Sequence, residues 1–278
     1  MLPVRYQMDD GEVPLTDRID VTVPSVARMY DYLMDGKDNY PADRAATEEL
    51  LKQVPSTKVL ALNNRAFLRR VVRRLAEDYG IRQFVDHGSG LPTQDNVHEV
   101  AQRVDPSCRV VYIDNDPIVL AHGRALLEQN ENTAVIQADM RDTEAIWSHS
   151  EVKRLIDTDE PVGVLFVSVL HCIPDRDDPA DVVRRAAAKV PKGSFLVVCQ
   201  LVSEDEETRR GVTEFMARST GGNWGEVRRE QDVARFLEGT ELLEPGLVEV
   251  STWRPDGDLV RRQPSMEWIE FGGVGRIV

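Results

Sequence analysis

Three aspartates fall at or just beyond the ends of apolar runs that read as successive strands. Asp86 closes "QFVD", Asp114 closes "RVVYID", and Asp139 follows "TAVIQ" by two residues. The turn after the first run, "DHGSGLP", carries Gly88 and Gly90, which suit a tight bend that brings backbone amides close to a ligand. A pyrophosphate site would want a third glycine further on, where this chain reads Asn96-Val97. Asp86 at the strand end repels a diphosphate and suits a cation such as an ammonium or a sulfonium. Asp114 is placed to accept two ribose hydroxyl hydrogen bonds, and Asp139 to accept from an adenine amino group. Aspartate is common at strand ends and helix caps, so each alone says little. Together the three describe a cationic adenosine ligand.

A second set of residues lies in loops. His171, in "SVLHCIPD" just past the fourth apolar run, stands where an acceptor pocket would open, either as a general base or as part of the pocket wall. His87 and His98 read as structural. Near the N-terminus, "YDYLMDGKDNYPADR" crowds Tyr30, Tyr32, Lys37, Asp38, Asn39 and Tyr40 into one segment. It is too polar for pure core and too aromatic for a linker. The segment reads either as a lid whose turn reaches the ligand or as a helix-turn-helix with an ordinary polar turn. Arg65 suits a bidentate contact with a carboxylate, or a surface ion pair.

The elements that must position these residues follow from periodicity. Residues 1–24 carry no pattern and read as an extended arm. From Ser25, a suitable N-cap, Val26, Met29, Tyr30 and Leu33 recur at helical spacing. Further helices are expected from Pro41 to before Pro55 and from about Lys58 to Tyr79, with Gly80 as the stop. Strands are then expected at 83–86, 109–114, 133–137, 162–168 and 194–201, alternating with helices near 93–104, 117–130, 142–156 and 178–189. The last helix is marked by Asp178 as cap and Pro179 at its first position. Strand and helix in alternation mean an α/β fold with a parallel sheet and helices on both faces. One or two helices follow Glu204, and 247–253 and 266–277 read as strands that pair as an antiparallel edge.

From Val85 to His171 the chain resembles the class I S-adenosylmethionine (SAM)-dependent methyltransferases. "DHGSGLP" stands for the acidic glycine-rich turn, "VVYIDNDP" for the ribose strand and "ADMRD" for the adenine strand. More narrowly, "ARMYDYLMDGKDNYPADR", "VVYIDNDPIVLAHGRALL" and "VLHCIPDRDDP" resemble an actinobacterial SAM-methyltransferase-like family once catalogued as a domain of unknown function. The resemblance implies a Rossmann-like class I methyltransferase fold. Its mostly parallel sheet would have seven strands, with an N-terminal helical lid at 25–80 and the SAM-binding domain at 81–278. It implies SAM as cofactor, held by Asp86, Gly88, Ser89, Gly90, Asp114, Asn115, Asp139, Met140 and Ser168, with Arg65, Tyr30 and Asn39 reaching it from the N-terminal helices. His171 is the residue it offers as catalytic base. His87 and Met34-Asp35 depart from the family's pattern.

The rest of the sequence narrows the partners. A formal net charge of −14 repels the phosphate backbone of nucleic acids, and no Asn/Asp-Pro-Pro-aromatic motif follows the fourth strand. The basic stretch "RRVVRR" reads as a solvated helix face. The three cysteines, without any Cys-x-x-Cys pair, fit a reducing compartment and no structural zinc. With no secretory segment and no apolar run long enough to span a bilayer, a cytoplasmic protein is expected. The reading is thus a methyltransferase acting on a small molecule by direct displacement, with a non-catalytic SAM sensor as the alternative. The absent third glycine sets an NAD-dependent oxidoreductase aside.

Overall fold

The computed structural model describes residues 20–92, 95–126, 130–257, 263 and 266–278, with the backbone alone for 124–126. Most of the expected N-terminal arm, and the end of the helix expected to reach residue 130, lie outside the described residues. Three helices come first: α1 (Val26–Leu33), α2 (Pro41–Gln53) and α3 (Thr57–Asp78). Strands and helices then alternate as β1 (Gln83–His87), α4 (Val97–Val104), β2 (Arg109–Asp114), α5 (Pro117–Leu126), β3 (Thr133–Gln137), α6 (Thr143–Ser148), α7 (Ser150–Leu155), β4 (Gly163–Val167), α8 (Pro179–Ala187) and β5 (Phe195–Val202). The chain closes with α9 (Glu206–Ser219), α10 (Glu230–Val233), β6 (Thr240–Leu242), β7 (Val248–Glu249) and β8 (Ile269–Ile277).

The strands form one sheet in the order β3-β2-β1-β4-β5-β8-β6, with β7 also paired to β8. The first five are parallel, and β8 runs antiparallel to β5 from Phe195 opposite Arg276 to Val202 opposite Ile269. The sheet therefore has eight strands, one more than expected. The addition is β6, whose "TEL" is too short and polar to carry a strand pattern. The run expected at 247–253 pairs for only two residues, because Glu249 caps a turn of 3₁₀ helix at Val250–Thr252 by accepting from the Ser251 amide. The single helix expected at 142–156 is broken where His149 adopts an extended backbone and starts α7.

Alternation along the strands feeds two cores. Val111, Ile113, Val164 and Phe166 face α6, α7 and α8, whereas Val110, Tyr112 and Leu165 face α3 and α4 through Phe67, Val71, Leu75 and Val100. The long helix α3 thus lies on the sheet rather than apart from it. The basic stretch on α3 is spoken for: Arg70 is buried and donates to the Val250 and Trp253 carbonyls, Arg69 pairs with Asp95, and Arg73 and Arg74 pair with Asp256. Only Arg70 departs from the solvated face expected there.

A third core joins α1, α2 and the start of α3 to α9 through Met29, Leu50, Leu60, Val212, Met216 and Trp268. Its organising charge is Asp43, fully buried, which accepts from the Ser25 amide at 2.9 Å, the Tyr40 amide at 2.8 Å and Arg28 Nε at 3.0 Å. Removing one member of a buried ion pair leaves the other unpaired, so Asp43→Ala should cost about 3–5 kcal/mol. Urea unfolding reads this as a lower midpoint at unchanged slope. A loss below about 1 kcal/mol, the range of surface pairs, would show that Asp43 does not organise this layer.

Candidate cofactor site

Parallel strands bring their carboxyl ends together, and a cavity of about 670 Å³ opens there. Its volume lies within the range of small-molecule sites. Asp86, Gly88, Ser89, Gly90, Asp114, Asn115, Asp139, Met140 and Ser168 all line it, as do Arg65 and Tyr30. Asn39 and His171 do not.

The glycine turn works differently from the expectation that its amides face the ligand. Gly88 and Ser89 donate their amides to the Ile113 carbonyl at 2.7 and 3.1 Å, and Gly90 donates to Asp114 Oδ2 at 2.8 Å. The turn is thus tied to the end of β2 and braces its carboxylate. Gly88 is required twice over: its φ is +70°, and a side chain there would collide with Val169. Asp114 also accepts from the Asp116 amide through Oδ1 at 2.9 Å. Each carboxylate oxygen keeps a further lone pair, enough for two hydroxyl donors from a ribose.

The floor of the cavity is acidic and poorly solvated. Burial pushes the Asp86 carboxyl up to about 7, with Arg65 opposing the rise and Asp114 adding to it. Burial pushes Asp114 up to about 6, with the amides of Asp116, Gly90 and Asn115 opposing the rise and the Asp116 charge adding to it. Arg65 lines the cavity beside Asp86 and donates to Asn96 Oδ1 at 3.1 Å, so its guanidinium is anchored to the start of α4. Two desolvated carboxyls and one arginine suit a ligand with a cationic centre and a carboxylate of its own.

Asp139 reaches the wall already paired. Arg141 Nε lies 3.0 Å from both of its oxygens and Nη2 at 2.5 Å, while Nη1 reaches Asp177 at 2.7 Å. An adenine amino group at this position would share Asp139 with Arg141, a residue that the adenine-strand reading had left out.

Two expected residues are placed elsewhere. Asn39 is buried in the turn after α1, where its amide donates to Asp31 Oδ2 at 2.8 Å and its Oδ1 accepts from Arg44 at 2.9 Å. It holds the turn instead of reaching the cavity. His171 is 2% exposed, packs its ring on Trp224, and its Nδ1 lies 3.4 Å from the Leu201 amide. Burial, helped by Arg228, pushes its pKa down to about 3. The reason is the loop's register: after Ser168 the chain turns through a 3₁₀ helix at Leu170–Cys172, which points Cys172 at the cavity and His171 into the core.

Sequence reasoning missed the segment leading into α1 as part of the site. Val23, Pro24 and Ser25 line the cavity, and Ser25 Oγ donates to Asp116 Oδ2 at 2.6 Å, bridging the N-terminal helices to the β2–α5 turn. Asn64 on α3 and the 220–223 turn after α9 also contribute. Only Asn64, beside Arg65 in "NNR", carried a polar signal on an apolar helix face. Among the described residues, no cluster of three or more His, Cys, Asp or Glu side chains is arranged for a metal, and no helix is long and apolar enough to cross a membrane.

An α/β sheet of this order, with acidic ends on β1 and β2 around one cavity, suits a nucleoside carrying a cationic centre. The S-adenosyl methyltransferase family matches residues 13–278, and the chain belongs to that family. It is 41% identical to a crystallised protein of Thermobifida fusca assigned as a methyltransferase, over 93% of this chain and 96% of that one, with a TM-score of 0.85. A DUF574-family protein of Streptomyces avermitilis is 36% identical over 93% and 99% of the two chains, with a TM-score of 0.82. No protein of curated function matches the chain. The protein is a SAM-dependent methyltransferase and SAM is its cofactor.

The acidic floor sets two expectations. Hydrogen bonds to a charged acceptor are worth roughly 1.5–3 kcal/mol each, so Asp114→Ala should weaken SAM and its demethylated product by about tenfold or more. Calorimetric titration with unchanged affinity would remove Asp114 from the site. A sulfonium favours the ionised carboxyls, whereas the free protein takes up protons as pH falls through about 7 and then 6. SAM affinity should therefore be full above pH 7 and decline as pH drops. Calorimetry giving the same affinity at pH 8 and pH 5.5 would contradict this assignment.

Proposed function

We propose that this methyltransferase acts on a small molecule by direct displacement, beneath the N-terminal helical lid of residues 25–80, of which Ser25, Val26 and Tyr30 line the cavity. The observation that carries this reading is the roof: Ser25 tied to Asp116, with Val26 and Tyr30 on the cavity wall. A partly roofed site of this size favours a compact acceptor over a macromolecule. SAM supplies the methyl group, and the chain's contribution is alignment and exclusion of water. Asp86 and Asp114 hold the cationic adenosine part, and Arg65 the carboxylate. Tyr30 packs from above with its hydroxyl donated to the Ala61 carbonyl at 3.1 Å.

The test is a screen of small-molecule extracts and defined compounds with methyl-labelled SAM. Label appearing only in protein or nucleic acid would reject the small-molecule reading. The lid is tested separately by hydrogen exchange of residues 25–30. Protection should rise on adding SAM, because covering elements belong to the less stable parts of a fold. Identical protection in both states would leave the segment as static packing.

In this reading His171 is scaffold. His171→Gln should lower thermal stability while turnover with an identified acceptor falls less than about tenfold. A loss of roughly a hundredfold or more, with the native fold retained, would restore it as general base.

A further inference from the structure

The strand order sets the ends of β3 and β2 on one side of β1 and those of β4 and β5 on the other. A nucleoside whose ribose meets Asp114 and whose cationic sulfur lies over Asp86 directs its methyl group toward the end of β4. Ser168 stands there, on the cavity wall, with a φ of +56° that is unusual for a residue other than glycine. Its amide donates to the Cys199 carbonyl at 2.8 Å, and its hydroxyl donates to Glu270 Oε1 at 2.5 Å. Glu270, on β8, is 2% exposed, and its Oε2 has no hydrogen-bond partner among the described residues. A carboxyl buried this deeply is costly to ionise, and among the described residues Ser168 is a cavity-wall residue that hydrogen-bonds it directly.

Resting on the reading of a small-molecule methyltransferase, we infer that Ser168 and Glu270 form a proton relay for a hydroxyl-bearing acceptor. Ser168 Oγ accepts the acceptor's hydrogen bond, and Glu270 acts through it. As the acceptor oxygen's lone pair forms its bond to the methyl carbon, the carbon–sulfur electron pair returns to sulfur. The acceptor's proton passes to Ser168, and the serine's own proton passes to Glu270, which releases it to solvent after product leaves. The apolar wall, with Leu68, Val167, Val169 and Ile173, suits a phenol-like body. Burial pushes the Glu270 carboxyl up to about 7, with Ser168 and Cys199 opposing the rise and Glu249 adding to it, which suits a base at neutral pH. Tyr30 faces the same carboxyl from α1, and burial holds its phenol well above the usual range and hence neutral.

The test uses wild type, Ser168→Ala and Glu270→Gln with labelled SAM and a series of phenols graded in acidity. Both variants should be saturable with SAM by calorimetry, Glu270→Gln, which lies outside the cavity lining, with wild-type affinity. With phenol itself their turnover should fall about a hundredfold, and the defect should shrink toward unity with 2,4-dinitrophenol, which is already ionised. With SAM saturating at every pH, so that protonation of Asp86 and Asp114 does not limit binding, the wild-type rate should fall on the acid side near pH 7, and Glu270→Gln should lack that limb. In the free protein, an infrared carboxyl band absent from Glu270→Gln should titrate near 7, with its midpoint moving up in Ser168→Ala. An equal defect across the series, no defect, a carboxyl band insensitive to Ser168, or a wild type that binds SAM yet methylates no phenol would overturn the relay. Failure of the wild type to bind SAM would instead overturn the underlying reading.

Discussion

The hydrogen bond from the Gly90 amide to the Asp114 carboxylate ties the turn after β1 to the end of β2, and the geometry of the site depends on it. With the neighbouring bonds from Gly88 and Ser89 to Ile113, it converts a glycine turn into a brace. The carboxylate is then held in one orientation before any ligand arrives, so little ordering remains to be done on binding. The same brace sets Asp114 close enough to Asp86 to raise the cost of ionising Asp86. Arg65, anchored to Asn96, offsets part of that cost. A cation held between the two carboxyls would relieve the rest, which favours a sulfonium over a neutral nucleoside.

The N-terminal helices depend on a second buried charge. Asp43 gathers the start of α1, the start of α2 and Arg28, and Arg28 in turn donates to the Asp20 and Val23 carbonyls. The roof of the cavity is therefore fastened at its edge by backbone contacts and at its centre by Ser25 on Asp116. Asp31 does similar work in the following turn, accepting from the Asp38 amide and Asn39, and leaves no room for a side chain at Gly36. The polar, aromatic texture of this segment reflects internal caps as much as ligand contact.

Much of this was legible because periodicity and strand-end chemistry are local. The five parallel strands, the helices between them and the three aspartates come from runs whose spacing alone identifies them. The twist of a short loop is not local in that sense. Nothing in "SVLHCIPD" says that Cys172 and not His171 turns toward the cavity, because the answer lies in Trp224 and Arg228, more than fifty residues away. Asn39 was misplaced for a related reason, since a buried amide looks alike in sequence whether it meets a ligand or Asp31. Arg141 and Glu270 escaped because one pairs with a neighbour two residues off and the other sits in an antiparallel strand with no motif around it.

The place of β8 between β5 and β6 has a consequence for how the chain reaches this state. All eight residues of β5 are buried in the finished sheet, and their partners lie between Ile269 and Arg276. Until that stretch has left the ribosome, β5 is an open apolar edge, and β6 and β7, which among the described residues pair with β8 alone, have no template. Nascent chain carrying everything through β7 thus exposes the kind of unpaired strand on which other chains add. The long sequence separation also makes this closure a slow step relative to the local β–α units before it. The topology thus leaves the outer edge of β5 unpaired until the last strand is added.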